Sequence, residues 1–249
     1  MSAADDESAL RQRADDFARS HAKQIAADFL ADFSFSEIPA STFMAGSPGA
    51  GKTEFSKRFV QGAGYVARID TDELRDHFAV CGYDGANSHL FQKAATRLVR
   101  AIHDLALKRK ISFLLDGTFA NEDIARQNIE RSLKRGRDVF VMFIYQSPQI
   151  AWDFVQRREE VEGRRVFADK FAQKFCASYA VVNKMKAEFG DKITLSMVIK
   201  NIDNIGNRSY HKSIERVDDH IHERYNAEEI LALISGDLEK HQLSDAHNA

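Results

Sequence analysis

A glycine-rich segment with a lysine and a threonine contains the residue types that most directly indicate chemistry. Residues 46–53 read GSPGAGKT and match G-x-x-x-x-G-K-[ST] at every fixed position. Glycines let backbone N–H groups surround phosphate oxygens without Cβ clashes, and a following helix directs its positive end at the anion. Lys52 supplies a point charge to the β- and γ-phosphates, and the Thr53 hydroxyl ligates magnesium. The segment therefore predicts a site for a nucleoside triphosphate with Mg²⁺. The residues predicted to bind the nucleotide are Gly46, Ser47, Pro48, Gly49, Ala50, Gly51, Lys52 and Thr53.

Two aspartates follow short apolar runs, at positions where parallel strands would end. Asp70 closes the run YVARI, and Asp116 closes the run ISFLL. Ligands of open α/β sheets bind outside the carboxyl ends of the strands. Asp70 is predicted to accept the proton of an attacking hydroxyl. A carboxylate buried at a strand end without a partner costs free energy, which favours a functional role for it over a structural one. Asp116 is predicted to hold magnesium, and Thr118 to contact the substrate.

An arginine-rich segment follows the fourth apolar run. Residues 157–165 read RREEVEGRR. Most charge runs of this kind are solvated helix surfaces with i,i+4 ion pairs, and that interpretation stays open. Phosphoryl transfer also needs cations on the equatorial oxygens, so we expect a lid that pivots at Gly163. At least one arginine of each pair would then reach the phosphates. The pairs are Arg157 with Arg158 and Arg164 with Arg165.

Short apolar runs that alternate with longer helical patterns indicate the elements that position these residues. We expect strands at 41–45, 65–69, 111–115, 138–145 and 193–199. We expect helices at 51–61, 72–79, 87–109, 121–135 and 148–189. Asp72 and Asn121 are interpreted as helix caps. Near-continuous apolar runs are typical of parallel strands covered on both faces. The alternation predicts an α/β fold of the P-loop NTPase or kinase type, with a mostly parallel sheet flanked by helices in three layers.

An amphipathic helix is expected over residues 6–33, before this fold begins. Its apolar positions recur at spacings of three and four. They are Leu10, Ala14, Phe17, His21, Ile25 and Phe29. The predicted organisation is an N-terminal helical extension over 1–38, a kinase domain over 39–235 and a polar tail over 236–249.

The overall composition excludes several classes of protein. The formal net charge of −2 argues against a dedicated nucleic-acid binder. Cys81 and Cys176 lie far apart, which is typical of reduced thiols in a cytoplasmic protein rather than of a zinc site or a disulfide framework. Since no apolar run approaches membrane-spanning length and the N-terminus is acidic, we expect a cytoplasmic protein with no membrane partner.

Four sequence blocks, in order, resemble the zeta-toxin family of P-loop kinases. The blocks are FMAGSPGAGKTEFSKRF, RIDTDELRDHF, FLLDGTF and GRRVFADKF. The first block is shared with many families, whereas the ordered set is more specific, and the resemblance covers about residues 43–201. It implies that ATP and Mg²⁺ are used to phosphorylate the 3′-hydroxyl of the amino sugar in UDP-N-acetylglucosamine.

The resemblance also implies roles for individual residues. Lys52 and Thr53 become the ATP–magnesium residues, and Asp70 becomes the base that activates the sugar hydroxyl. Asp116 and Thr118 match the acid-Gly-Thr element at the substrate and magnesium. One of Arg157 and Arg158, together with Arg165, matches the two lid arginines. We expect catalysis to involve Arg158 and Arg165, and nucleotide binding to involve Arg157 and Arg164.

Two departures from the family pattern concern the acceptor. The family often has His-Pro after the second acid, where this chain has His77-Phe78. Family members also carry an acid on the helix before the third strand, facing the sugar nucleotide, and Asp104 is the only acid in that region here. The residues expected to bind substrate there are Arg97, Arg100 and His103.

The resemblance implies a protein partner as well. Some members are blocked by a separate antitoxin helix near the nucleotide site, so we expect an antitoxin or self-inhibition by residues 6–33. Three other activities stay open: a kinase of the chloramphenicol-phosphotransferase type, a 5′-hydroxyl polynucleotide kinase and an NTP-gated binding protein. The near-neutral charge argues against the second, and the strand-end base with an arginine-dense lid argues against the third.

Overall fold

A computed structural model describes residues 3–163, 166–200, 208–221 and 223–245. Its strands are Ala40–Ala45 (β1), Ala67–Asp70 (β2), Phe113–Asp116 (β3), Asp138–Gln146 (β4), Thr194–Lys200 (β5) and Arg208–His211 (β6). In this part of the chain they form one sheet of order β2-β3-β1-β4-β5-β6. Neighbouring strands are parallel except β6, which runs antiparallel to β5. The predicted α/β fold with a mostly parallel sheet is thereby confirmed.

Helices cover both faces of this sheet and connect its strands. They are Ala3–Phe29 (α1), Lys52–Ala63 (α2), Thr71–Leu74 (α3), Gln92–Lys108 (α4), Glu122–Leu133 (α5), Pro148–Glu162 (α6), Ala168–Phe189 (α7) and Ala227–Asp245 (α8). Short 3₁₀ turns occur at Arg75–Cys81, Ser88–Leu90, Gly190–Lys192 and Val217–His220. The Asn121 side chain caps α5 by accepting a hydrogen bond from the Ile124 amide at 3.0 Å, as the sequence predicts.

Several elements differ from the sequence prediction. The helical stretch expected at 148–189 is two helices, because α6 ends at Gly163 in the left-handed region with φ 67°. The helix expected at 72–79 is only the single turn of α3, continued by a 3₁₀ turn. Strand β6 was not predicted, since its four residues, RSYH, have no apolar alternation. It forms through pairing with β5, in which Tyr210 lies opposite Val198.

Helix α1 packs along α4 through a stripe of small side chains. Fully or almost fully buried positions recur every fourth residue at Ala14, Ala18, Ala22, Ala26 and Leu30. The larger apolar residues of the predicted face, such as Phe17 and Ile25, are only partly buried, and His21 is exposed. The helix therefore docks through its alanines, which let the two backbones approach closely.

A second apolar cluster joins α6, α7 and α8. Trp152 on α6 packs against Phe171 on α7, with ring centroids 5.1 Å apart. Ile230 and Ile234 of α8 complete the cluster and are fully buried. Helix α8 crosses residue 236, where the sequence predicted that a polar tail begins. The cluster fixes α6 beside the carboxyl ends of the strands.

Two further sequence expectations bear on the chain as a whole. Cys81 and Cys176 are both free thiols in the structure. Among the helices of the described residues, none combines the length and the apolar character that crossing a membrane requires.

Candidate active site

The carboxyl ends of the parallel strands open into a cleft of about 1320 Å³. The phosphate loop, residues 46–53, follows the central strand β1 and lies in the middle of this cleft. One wall, which we call the β2 rim, consists of Thr71, Asp72, Arg75, Ser88, His89 and Gln92. The opposite wall, the β5–β6 rim, consists of Val198, Lys200, Ser209 and Tyr210. The strand order thus separates two binding regions with the phosphate loop between them.

Positive backbone φ angles give the phosphate loop its curvature. Gly46, Gly49 and Gly51 have φ values of 134°, 74° and 78°. A Cβ atom added at Gly49 would lie 1.9 Å from the carbonyl oxygen of Ala151 on α6. A Cβ at Gly46 would lie 2.3 Å from the carbonyl oxygen of Ile144. Only glycine fits these two positions, and neighbouring backbone therefore holds the loop in shape.

Lys52 lies folded into the concave side of the phosphate loop. Its Nζ donates to the carbonyl oxygens of Gly46 at 3.0 Å and Ser47 at 2.6 Å. Burial lowers the pKa of Lys52 to about 8, the nearby charge of Arg158 adds to the effect, and Asp116 opposes it. A phosphate bound in the loop would raise this pKa again, because an adjacent anion favours the charged ammonium.

The two strand-end aspartates lie side by side. Asp70 and Asp116 are paired residues of β2 and β3, and both are almost completely buried at the floor of the cleft. Burial raises the pKa of Asp70 to about 6, with further upward contributions from the negative charges of Asp116 and Asp72. A carboxylate with this pKa is suited to accept a proton near neutral pH.

Arg68 connects these two acids and was not singled out in the sequence. One of its terminal nitrogens donates to both Asp70 and Asp116, the latter at 2.8 Å. Its Nε donates to the Ser56 hydroxyl at 2.7 Å, and its side chain is only 7% exposed. The sequence contained one indication of this contact: side chains two residues apart on a strand share a face, so Arg68 lies on the same face as Asp70.

The position of Asp70 also corrects one predicted helix cap. The sequence assigned the N-cap of the helix after β2 to Asp72. Instead, Asp70 is the cap, and its Oδ1 accepts a hydrogen bond from the Asp72 amide at 2.8 Å. Asp72 lies in the first turn and accepts a hydrogen bond from Arg75. One oxygen of the predicted base is therefore held by the backbone, which fixes the plane of the carboxylate.

Thr53 and Asp116 both line the cleft at the end of the phosphate loop. Hydroxyl and carboxylate oxygens are the ligands that Mg²⁺ prefers. Asp116 Oδ2 is oriented by the Ser56 hydroxyl, which donates to it at 2.7 Å, and by Arg68. The donor set therefore fits the magnesium site expected from the sequence.

Three residues that the sequence placed at the substrate do not line the cleft. Helix α4 buries Leu98 and Ile102 in the core, and the buried ring of His103 packs edge-on against Phe113 and Phe43, with centroids 4.8 and 6.5 Å away. Burial lowers the pKa of His103 to about 4. The described cleft receives only the first turn of α4 and the turn before it, so Arg97, Arg100 and His103 lie away from its lining.

The lid arginines are only partly within the described residues. Arg157 and Arg158 on α6 both line the cleft, and Arg158 is close enough to Lys52 to affect its pKa. Arg164 and Arg165 lie outside the described residues. Thr118 also lines the cleft, and its carbonyl oxygen accepts a hydrogen bond from the Gly46 amide at 3.2 Å.

Lys200 on the β5–β6 rim is a second lysine at the phosphate loop. Its Nζ donates to the carbonyl oxygen of Gly51 at 2.8 Å. Sequence reasoning missed it, because its position at a strand end matches no portable motif. By contrast, none of the described residues that line the cleft belongs to α1. The structure therefore gives no support to self-inhibition by direct blockage, since α1 docks on α4.

Comparison with known proteins agrees with this arrangement. The zeta toxin family matches residues 27–215, which is more than half of the chain. The chain belongs to the zeta toxin family. A comparison with curated proteins finds no match. The described fold is that of the zeta toxin family's P-loop kinases.

Solved structures with the same fold share little sequence with this zeta toxin homologue. One belongs to the PezAT chromosomal toxin–antitoxin system of Streptococcus pneumoniae, with a TM-score of 0.60, 16% identity and coverage of 91% of this chain and 96% of that chain. Another is AvrRxo1-ORF1:-ORF2 with ATP, with a TM-score of 0.57, 17% identity and coverage of 85% and 70%. At these identities the likeness shows the fold.

Proposed function

We propose that this protein is a kinase that transfers the γ-phosphate of ATP to a hydroxyl of UDP-N-acetylglucosamine or a related sugar nucleotide. The observation that supports the proposal is the placement of Lys52 and Asp70 in one cleft, with the phosphate loop between its two walls. A cation for the phosphates and a buried base are the two parts that transfer to an alcohol requires. The family supports the same activity, and the AvrRxo1 relative was solved with ATP.

In the proposed reaction the acceptor hydroxyl lies against the β2 rim, beside Asp70. As the hydroxyl oxygen attacks the γ-phosphorus, its proton passes to the Asp70 carboxylate and the bond to the β-phosphate oxygen breaks, which releases ADP. Lys52 and Arg158 bind the phosphoryl oxygens and stabilise the charge that develops on them. Thr53 and Asp116 would hold Mg²⁺, which supplies further positive charge at the β- and γ-phosphates.

The composition of the β2 rim favours a polar acceptor over an apolar antibiotic. Hydroxyl, imidazole, guanidinium and amide groups occur there on Ser88, His89, Arg75 and Gln92. Such groups hydrogen-bond to the hydroxyls, amides and phosphates of a sugar nucleotide. An apolar acceptor of the chloramphenicol kind would leave several of them without partners, at a cost in binding free energy.

The test is an acceptor screen with γ-labelled ATP and Mg²⁺. It includes UDP-N-acetylglucosamine, other sugar nucleotides, chloramphenicol, nicotinamide dinucleotide and a 5′-hydroxyl oligonucleotide, with the Asp70→Asn protein as the blank. We expect label on UDP-N-acetylglucosamine or another sugar nucleotide. Label only on chloramphenicol or the oligonucleotide would reject the proposed acceptor and leave the kinase chemistry in place. ATP binding without label on any compound would instead favour an NTP-gated binding protein.

We also propose that the kinase has an antitoxin partner. One neighbour in fold belongs to a toxin–antitoxin system, and another occurs in a complex of ORF1 with ORF2. The expected result is that the product of an adjacent gene co-purifies with this chain and suppresses its toxicity. A toxic chain that no neighbouring product neutralises would contradict the proposal.

A further inference from the structure

Helix α1 packs against the back of the β2 rim, although none of its described residues lines the cleft. It contacts α4 and the two 3₁₀ turns, Arg75–Cys81 and Ser88–Leu90, from which three residues of the rim come. The match to the zeta toxin family begins at residue 27, so most of α1 precedes it. One wall of the cleft is therefore supported by an element that lies mostly outside the matched region.

Aromatic contacts join the first half of α1 to the rim. The ring of Phe17 packs edge-on against that of Phe78, with centroids 5.7 Å apart. Phe78 is fully buried in the turn that begins with Arg75, and its ring lies 5.8 Å from that of Phe91. Phe91 is also fully buried, and it directly precedes Gln92 of the rim. Because close-packed side chains transmit displacements to their neighbours, the position of α1 affects both turns.

An ion pair makes a second connection between α1 and the rim. Asp15 on α1 is only 6% exposed, and Lys93 on α4 donates to its Oδ2. Arg19 Nη2 lies 3.7 Å from the same oxygen, whereas Oδ1 is buried and has no hydrogen-bond partner among the described residues. Loss of the Lys93 contact would leave this buried charge poorly compensated. Since Lys93 directly follows Gln92, one residue of the first turn of α4 lines the cleft and the next binds α1.

The second half of α1 packs away from the rim. The chain that follows α1 reaches the other end of α4, where the Ser36 amide donates to the Lys110 carbonyl oxygen at 3.0 Å. Phe29 is the last residue of α1 and, like Phe17, is partly buried against the main core. About 18 Å of α-helix separates the two rings' positions along the chain. The helix therefore carries two similar aromatic contacts, one at the rim and one remote from it.

We propose that α1 is a positioning element for the acceptor side of the cleft, and that Phe17 and Asp15 hold the β2 rim in the shape that binds the acceptor. The inference rests on the kinase function proposed above and gives its first helix a role in that function. Undocking of α1 loosens the rim but leaves the phosphate loop in shape, because the backbone of Ile144 and Ala151 supports the loop. The effect has the opposite sign to self-inhibition, since any change that displaces α1 lowers transfer.

The first experiment measures backbone hydrogen exchange in the full chain, without any ligand. It compares the wild type with Phe17→Ala and with a matched control, Phe29→Ala. We expect the amides of residues 78–92 to exchange about tenfold faster in Phe17→Ala than in the control, because their turns lose support. The amides of residues 46–53 should exchange equally in both. Equal exchange of residues 78–92 in the two variants would overturn the inference, since α1 would then only stabilise the fold.

Initial rates with ATP and UDP-N-acetylglucosamine give the second measurement. We expect Phe17→Ala to raise the KM for the acceptor about tenfold with the KM for ATP unchanged, whereas Phe29→Ala changes neither. Phe17→Leu recovers most of the loss, because it keeps an apolar side chain against Phe78. Asp15→Asn removes the charge that Lys93 binds and raises the acceptor KM about threefold. It replaces Phe17→Ala in both experiments if thermal unfolding shows that Phe17→Ala is not folded.

The two proposals fail in different ways. Faster transfer by Phe17→Ala contradicts the inference, because α1 would then inhibit the kinase. An equal rise in the KM for ATP and for the acceptor also contradicts it, because the phosphate loop would then depend on α1 as much as the rim does. If the wild type labels no acceptor, the proposed reaction fails, and hydrogen exchange alone decides whether α1 holds the rim.

Discussion

The phosphate loop and the β2 rim lie in one cleft, but the chain holds them in place by different means. The loop takes its shape from backbone, with left-handed glycines pressed against the carbonyl oxygens of Ile144 and Ala151. The β2 rim takes its shape from side chains, through the contacts of Arg75 with Asp72 and Gln92. A backbone cradle can hold any triphosphate, whereas a side-chain wall selects its ligand by residue type. In the proposed function, the choice of acceptor would therefore depend on the rim.

The largest effect is expected where the two regions meet, at Asp70. Asp70→Asn keeps the shape of the side chain but removes the proton acceptor. We expect transfer to fall by about two to four orders of magnitude while ATP binding stays unchanged. Single-turnover transfer and calorimetric ATP binding measure the two quantities separately. Asp76→Asn, at an exposed position that does not line the cleft, is the matched control. Full transfer by the Asp70→Asn protein would show that Asp70 is not the base.

The backbone character of the phosphate loop is tested with alanine at Gly49. An added Cβ meets the Ala151 carbonyl at 1.9 Å, and alanine is strained at φ 74°. We expect ATP affinity to fall by about 100-fold, because both penalties distort the cradle. Gly62→Ala in α2 is the control, since its Cβ meets nothing within 4 Å and ATP affinity should not change. Equal ATP affinity in both variants would show that the loop tolerates side chains.

The raised pKa of Asp70 predicts a limit to transfer on the acid side. The carboxylate is protonated below its pKa of about 6, so kcat/KM for the acceptor should fall about tenfold for each pH unit below that value. Folding raises the pKa of Asp70 from its ordinary value of 3.8 to about 6, so the folded state binds this proton more readily than the unfolded chain. The contribution of Asp70 to the free energy of unfolding therefore declines as the pH rises from 3.8 to about 6. A flat transfer profile between pH 5 and pH 7 would contradict the assignment.

The smallest effect is expected at the β5–β6 rim. Lys200→Gln weakens the contact to the Gly51 carbonyl and removes a positive charge beside the loop. We expect the KM for ATP to rise about three- to tenfold, with the KM for the acceptor unchanged. Initial rates at varied ATP check this, with exposed Lys192→Gln as the control. A change confined to the KM for the acceptor would mean that the β5–β6 rim contacts the acceptor, so that the two rims do not bind different ligands.

The same contrast explains how far the sequence could be interpreted. The phosphate loop has a fixed spacing, so its position and the parallel strands around it were predicted closely. The β2 rim combines residues from 71 to 92, which come together only when α3 and the following turns fold. No spacing rule connects Arg75 to Gln92, and the charged residues later in α4 do not line the cleft. His103 is a polar residue whose ring packs in the core, which no local pattern distinguishes from a ligand contact.

Helix α6 has a consequence for measurement. It carries Arg157 and Arg158, its Ala151 carbonyl supports Gly49, and its next residue, Trp152, is the only tryptophan of the chain. The indole packs on Phe171, across the boundary between α6 and α7. A movement of α6 on nucleotide binding would change the surroundings of one fluorophore, so the protein's own emission spectrum can follow the event without any attached dye.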